Sequence, residues 1–360
     1  MKILHIAPIN TAGVPLALVR AENAIGIQSR LITFHRHPRD FGEDICLDLP
    51  LFDFWGVHLA KKLFSPSERV AVRYDAKLPE TIPPTWIPGR IEHTLIRMRE
   101  RLWQPRIERA IADYDIVSFD VIQLDGGMGF YRDGRIIRQL KSGGKKIICC
   151  YTGSDLRVRG VIPEIDHISD LNVSVEFDHQ FLHTNLKHVP FPIEPDQYGR
   201  AGAQNGETVL ISHAPTNRQA KGSHIIIPIV RELEKEYPVK LVLIENLPYH
   251  KALELKRQTQ IFIDQIGNLG YGISSLEALS MGIACCSCLA PGFENAYPEH
   301  PFIVIDEQNL KEKLIPLIEN ATLRQEKARQ GIQWVRSVHD AKKVVQRIHQ
   351  FAGIGERHFS

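Results

Sequence analysis

Residues 261–288 read Ile261-Phe262-Ile263-Asp264-Gln265-Ile266-Gly267-Asn268-Leu269-Gly270-Tyr271-Gly272-Ile273-Ser274-Ser275-Leu276-Glu277-Ala278-Leu279-Ser280-Met281-Gly282-Ile283-Ala284-Cys285-Cys286-Ser287-Cys288. An apolar run ends at Ile263, a glycine-bearing turn follows, a helix opens near Ser274, and a second apolar run starts at Ile283. Strand, turn, helix and strand make one βαβ unit of a parallel sheet. Gly270 and Gly272 carry no Cβ, so a ligand can approach the backbone there. The helix start aims its unpaired N–H groups at the same spot, together with those of Ile273 and Ser274. That combination suits a phosphate. Glu277 falls one turn inside the helix, where a carboxylate can accept hydrogen bonds from ribose hydroxyls. Gly-x-Gly is also an ordinary strand-to-helix connection, and a first-turn carboxylate is favoured by the helix dipole by ~0.3–1 kcal/mol. The surrounding chain has to decide.

Working towards the N-terminus, strand Thr208–Ser212 enters a basic turn with Arg218, Lys221 and Gly222, followed by a helix with Ile225, Ile226, Ile229, Val230 and Leu233 on one side. A turn with two cations can hold an anion. The plainer alternative is a solvated basic turn. Pro190 to Pro195 and the stretch 199–206, rich in glycine and alanine, read as a linker. Upstream, the strand Lys2–Ala7, a turn through Asn10, Thr11 and Gly13, a helix and the strand Ser29–Phe34 open a second βαβ series. The spacing around Gly13 is not G-x-G-x-x-G, which excludes a nicotinamide site there. The strand Lys146–Tyr151 ends at Thr152-Gly153-Ser154-Asp155-Leu156-Arg157, again at a carboxyl end where open α/β sheets take ligands. Asp155 can orient or deprotonate a hydroxyl and Arg157 can hold an anion. Equally, Asp155 can cap its own turn and pair with Arg157. Asp113-Tyr114-Asp115 has the spacing of a D-x-D metal motif, but it sits between a helix end and the apolar run Ile116–Leu124, where aspartates form turns.

The string LGYGISSLEALSMGIACC (269–286), with IFIDQ before it, resembles the donor-site region of the retaining GT-B glycosyltransferases, whose helix carries two glutamates with seven residues between them. Glu277 matches the second glutamate and Leu269 stands at the first. The Arg218 to Gly222 turn resembles the loop that holds the donor diphosphate, with Thr216 at the usual arginine position. Residues 152–157 resemble the (H)GSD-x-R turn of a bacterial branch, with Thr152 in place of histidine. The resemblance implies an α/β fold of GT-B type, two Rossmann-like domains with parallel sheets facing a cleft. It implies 1–195 as acceptor domain, 196–338 as nucleotide-sugar domain, and 339–360 as a helix crossing back to the first, capped by Asp340. Gly13, Lys221, Arg218, Gly270, Tyr271, Gly272, Ile273, Ser274 and Glu277 would line the donor site; Asn268 and Tyr271 can help select the donor, with no specificity read from them. Asp155, Arg218 and Lys221 would carry the chemistry. The reaction implied is retaining, metal-independent transfer of a sugar to a glycan or lipid-linked acceptor. A catalytically inactive GT-B subunit partnering an active transferase, or a sugar-nucleotide epimerase, is the alternative.

At 360 residues two domains are expected. A net charge of +2 gives no reason to expect nucleic acid. No 18-residue apolar run occurs and Met1 leads directly into a strand, so a cytoplasmic protein is expected. Residues 51–106 hold Trp55, Trp86, Trp103, Lys61-Lys62 and several arginines. The 93–112 part has helical spacing, with Leu95, Ile96, Met98, Leu102, Ile107 and Ala110 on an expected stripe. Such a region can rest on the inner membrane face, or it can be an insertion packed on the protein, since a charged face is the normal partner of a core stripe. The six cysteines lie in apolar runs without zinc spacing and read as buried thiols.

Overall fold

The computed structural model describes residues 1–52, 82–202, 208–267 and 269–354. The readings attached to Trp55, Lys61, Lys62, Asn268 and linker residues 203–206 lie outside the described residues. The chain divides into two compact units, Met1–Pro192 with Ala341–Ser360, and Ile193–Asp340.

In the first unit the described residues form a seven-stranded parallel sheet: β1 Lys2–Ala7, β2 Gln28–Thr33, β3 Ile45–Cys46, β4 Val121–Asp125, β5 Lys146–Tyr151, β6 Leu171–Ser174 and β7 Lys187–His188. Apolar runs buried on both faces make these strands, as parallel sheets covered by helices require. The order is β3-β2-β1-β4-β5-β6-β7, so the chain leaves β1 to one side and returns to its other side at β4. Successive crossovers part between these two strands, and their carboxyl ends form the ligand-binding edge of such sheets. Asn10, fully buried, fixes the loop after β1: its amide donates to Gly42 O at 2.9 Å and its oxygen accepts from Leu16 N at 3.3 Å. Gly13, with φ +76°, precedes the Val14–Ala24 helix.

Two expectations change here. Ile116–Ser118 is a short 3-10 turn, entered through Asp115 with a left-handed backbone (φ 46°), and β4 starts only at Val121. Asp113-Tyr114-Asp115 is therefore the turn that aspartates favour. The Arg90–Asp113 helix buries Trp103, Ile107 and Ala110, whereas Leu95, Met98 and Leu102 are exposed. The expected single stripe is two faces, because shifting from the 95/98/102 set to the 103/107/110 set rotates by about 100° around a helix of 3.6 residues per turn.

The Ala341–Ala352 helix belongs to the first unit and buries Val344, Val345 and Ile348. A buried ionic chain ties it down. His349 Nε2 donates to Glu22 Oε1 (2.9 Å), and His5, in the middle of β1, donates to Glu22 Oε2 (2.9 Å) and Asp125 Oδ2 (2.8 Å). Burial alone would lower the His5 pKa, but the carboxylates of Asp125 and Glu22 outweigh it and raise it to about 10. Burial raises the Glu22 pKa, and His5 with His349 overcomes that to bring it to about 2.

In the second unit the described residues form a five-stranded parallel sheet: β8 Val209–His213, β9 Val239–Leu243, β10 Ile261–Ile263, β11 Ala284–Ser287 and β12 Ile303–Val304. The order β12-β11-β10-β8-β9 places its reversal between β8 and β10. Ile211, Ile261 and Ile263 meet Ile226, Val230 and Leu233 of the Ser223–Leu233 helix and Leu310, Leu314 and Leu317 of the Leu310–Glu319 helix in one core. Cys285 and Cys286 are buried in β11, and burial pushes the Cys286 thiol up to about 12.

Candidate functional site

The loops after β8 and β10, on either side of the reversal, carry the residues singled out in the second half of the chain. His213 ends β8 fully buried. Its Nδ1–H donates to Ile263 O (2.8 Å) and its Nε2 accepts from the Ser223 hydroxyl (2.8 Å), while burial lowers its pKa and keeps it neutral. Both ends of the β8 loop are thereby pinned to β10. Inside it, Asn217 Oδ1 accepts from Gln219 N (2.9 Å) and Ala220 N (3.1 Å), an Asx turn that delivers Lys221. Gly222 has φ +67°, and a Cβ there would lie 2.5 Å from Ile266 O. Only glycine lets the two loops approach this closely.

Lys221 Nζ donates to Asp264 Oδ1 at 2.6 Å. The other oxygen of Asp264 accepts from Gly272 N (3.0 Å) and Ser275 Oγ (2.7 Å). Asp264 is 1% exposed; burial would raise its pKa, but the Lys221 charge and these donors win and lower it. One buried carboxylate thus joins the lysine to the start of the Ile273–Met281 helix. The Gly272 amide is spent on Asp264. Ile273 and Ser274 open the helix, where no intrahelical acceptor exists for their N–H groups. A cation and a helix start meeting at one spot make a place for a phosphate.

Glu277 is 5% exposed and engages both oxygens within the protein. Lys256, at the end of the Tyr249–Lys256 helix, donates to Oε2 (2.5 Å) and to Ser274 Oγ (2.7 Å), and Tyr249 OH donates to Oε1 (2.8 Å). Lys256 also sits 4.5 Å from the centre of the Phe262 ring. Tyr271 turns inward: 7% exposed, it packs against Phe293, Phe302 and Trp334 and lies within hydrogen-bonding reach of His339 (3.3 Å). That turns its side chain away from the outer surface of the turn. Arg218 is exposed and bidentate on Glu245 (2.8 and 2.6 Å), which directs its guanidinium there and not into the Lys221–Asp264 pair.

At the end of β5, Asp155 accepts four bonds from its own turn: Thr152 N (2.8 Å) and Thr152 Oγ1 (3.2 Å) to one oxygen, Gly153 N (2.9 Å) and Leu156 N (2.8 Å) to the other. This is a capping role. Arg157 is not its partner; the guanidinium binds Glu176 (2.7 Å) and Asp178 (2.7 Å to Oδ2). Burial raises the Glu176 pKa, Arg157 opposes and Asp178 adds, leaving it at about 7. Gly13 belongs to the first unit and Lys221 to the second. Sequence reasoning assigned no role to Asp264, Lys256, Tyr249, Glu245 or Glu176. Asp264 had a local signal, a carboxylate at a strand end just before the glycine turn. Lys256 and Glu277 are 21 residues apart with no periodicity linking them.

No protein-family model matches the sequence, and no curated protein matches it. In shape the chain has the α/β architecture of GT-B glycosyltransferases, two sheets of parallel strands, over its whole length. It is similar to Anabaena Alr3699/HepE, solved in complex with UDP and glucose, at 13% identity and TM-score 0.58, over 98% of this chain and 99% of that one. It is also similar to sucrose-phosphate synthase from Thermosynechococcus elongatus (10% identity, TM-score 0.61, 97% of this chain and 98% of that one). A third likeness is to the catalytic domain of starch synthase IV from Arabidopsis thaliana bound to ADP and acarbose (11% identity, TM-score 0.60, 98% and 99% covered). At such identities the likeness fixes the fold.

Proposed function

We propose that the chain transfers a sugar from a nucleotide-sugar donor to an acceptor, and that the donor diphosphate sits at the start of the Ile273–Met281 helix. The observation that carries this reading is the Lys221–Asp264–Gly272 junction, where a lysine and a helix start converge on one point at the sheet reversal. Fold likeness to enzymes solved with UDP or ADP supports it. Lys221 shares its three donors between Asp264 and the phosphate, and the Ile273 and Ser274 amides complete the cradle. Arg218 reaches the phosphate by exchanging Glu245 for it. Glu277, held rigid by Lys256 and Tyr249, offers its remaining lone pairs to the ribose.

The finer reading is retention of anomeric configuration, no metal requirement, a hexosyl donor, and a glycan or lipid-linked acceptor held by the first unit. On that side Asp155 shapes the turn. Beside it Arg157 is held by Glu176 and Asp178. Calorimetric titration with UDP, GDP, ADP and TDP, with and without magnesium, tests the reading. One of them binds the wild type irrespective of metal, and Lys221→Ala weakens it about 10- to 150-fold, the loss of one charge-assisted bond of ~1.5–3 kcal/mol. Absence of binding to all four, or equal affinity in Lys221→Ala, sinks it. Product anomer analysis by NMR then decides retention.

A further inference from the structure

The Arg90–Asp113 helix carries a second apolar face on its outer side. Ile91 (60% exposed), Leu95 (48%), Met98 (58%) and Leu102 (55%) follow one another at spacings of four, three and four residues. At 3.6 residues per turn they fall within about 60° of one another and form a stripe ~17 Å long. Trp103 and Ile107, which anchor the same helix in the core, lie about 110–150° around it from this stripe. The stripe is therefore not left over from packing this helix.

Among residues 90–102 the exposed charges have one sign, and further along the helix Glu108 is exposed on the arginine side. Arg90, Arg97 and Arg101 are exposed and fall together along one edge of it, about 100° from its centre. Of the acids in the same stretch, Glu100 is 4% exposed and accepts the Arg132 amide N–H at 2.7 Å, and Glu92 is half-buried. Arg99 lies over the Trp103 ring, 4.3 Å from its centre, at the border with the core face. An apolar stripe edged by arginines, on a helix fixed by a different face, matches a surface covered in anions with hydrocarbon beneath. No described helix is long and apolar enough to cross a membrane. The helix would lie on the surface.

We infer that this outward face of the Arg90–Asp113 helix is a docking surface for an anionic lipid bilayer, with Ile91, Leu95, Met98 and Leu102 entering the headgroup boundary and Arg90, Arg97 and Arg101 on the phosphates. A protein partner or a second copy would require acidic groups facing these arginines; the arginine edge needs only the headgroups. The inference stands on this face alone and is independent of the donor-site reading.

The test uses the full chain and sedimentation with sucrose-loaded vesicles, either pure phosphatidylcholine or phosphatidylcholine with a third phosphatidylglycerol. Wild type pellets with the anionic vesicles and not with the neutral ones. Leu95→Gln/Met98→Gln/Leu102→Gln, all exposed positions, lowers the partition coefficient at least about tenfold with an unchanged circular dichroism spectrum. Arg97→Gln/Arg101→Gln weakens binding at low salt, and the difference closes as salt shortens the electrostatic range. Equal binding to both vesicle types, no binding to either, or equal binding by the triple variant overturns the inference. So does concentration-dependent self-association of wild type that the triple variant abolishes, which would make the face a contact between copies.

Discussion

Asp264→Asn removes one charge while preserving shape, and its cost follows from the donors around it. Asp264 accepts from Lys221 Nζ (2.6 Å), Ser275 Oγ (2.7 Å) and Gly272 N (3.0 Å). Asparagine offers one acceptor oxygen and an amide that only donates. Turned one way, its amide faces the Lys221 ammonium, donor to donor; turned the other, it faces the Gly272 N–H and the Ser275 hydroxyl. The first arrangement forfeits a charged bond of ~1.5–3 kcal/mol. It also leaves an ammonium that is 17% exposed without its counter-charge. Breaking a fully buried pair costs ~3–5 kcal/mol, and the exposure of Lys221 puts Asp264→Asn near the lower end of that range. Lys221→Met costs at least as much, because the carboxylate it strands is the more deeply buried partner. With both changes no charge is left unpaired, so the losses do not add. A double-mutant cycle from urea unfolding at pH 7 is expected to give a coupling of about 2 kcal/mol. The pH dependence has a definite sign. The folded Asp264 pKa is depressed, so its stabilisation is present above the ordinary carboxylate value and disappears as pH falls through the folded one. Wild type therefore loses stability below about pH 4 that Asp264→Asn does not have to lose. A coupling under about 0.5 kcal/mol, or an asparagine variant as stable as wild type, refutes the reasoning.

Lys256→Met strands the Glu277 carboxylate, 7% exposed, and is expected to cost ~3–5 kcal/mol in denaturant unfolding. Adding Glu277→Leu recovers much of that loss, since an apolar pair of similar volume needs no counter-charge; a single variant as stable as wild type would show that the pair is not coupled. In the first unit His5 has a folded pKa raised to about 10. Its contribution is complete below the unfolded value of about 6.5 and is lost as pH rises through 10, at up to about 1.4 kcal/mol per pH unit. Stability measured from pH 6 to 10 should fall in wild type and fall less in His5→Gln, and parallel curves would contradict the buried imidazolium.

The sequence by itself determined the elements and their alternation. Apolar runs such as Lys146–Tyr151 became strands with the expected bounds, because a strand buried on both faces writes itself as a continuous apolar stretch. Gly270, Gly272 and Lys221-Gly222 announced the two loops, since a close approach of backbones needs glycine, and the chain states that need locally. What faces what was decided only by the tertiary structure. Lys256 and Glu277 come from different helices, Lys221 and Asp264 from loops of neighbouring strands, and His5, Glu22 and His349 from three elements spanning almost the whole chain. The sheet order β12-β11-β10-β8-β9, which no local pattern encodes, brings β8 beside β10 and so lets the Lys221 loop meet the glycine turn. For Tyr271 and Asp155 the sequence left the direction of the side chain open for the same reason. Each sits in a motif whose spacing is visible in the sequence, but whether a side chain turns out to a ligand or in to the aromatic cluster or its own turn is set by packing. Helical periodicity likewise marked an apolar Arg90–Asp113 helix without saying which of its two stripes the core would take, since burying either one satisfies the same repeat and only the neighbouring strands choose.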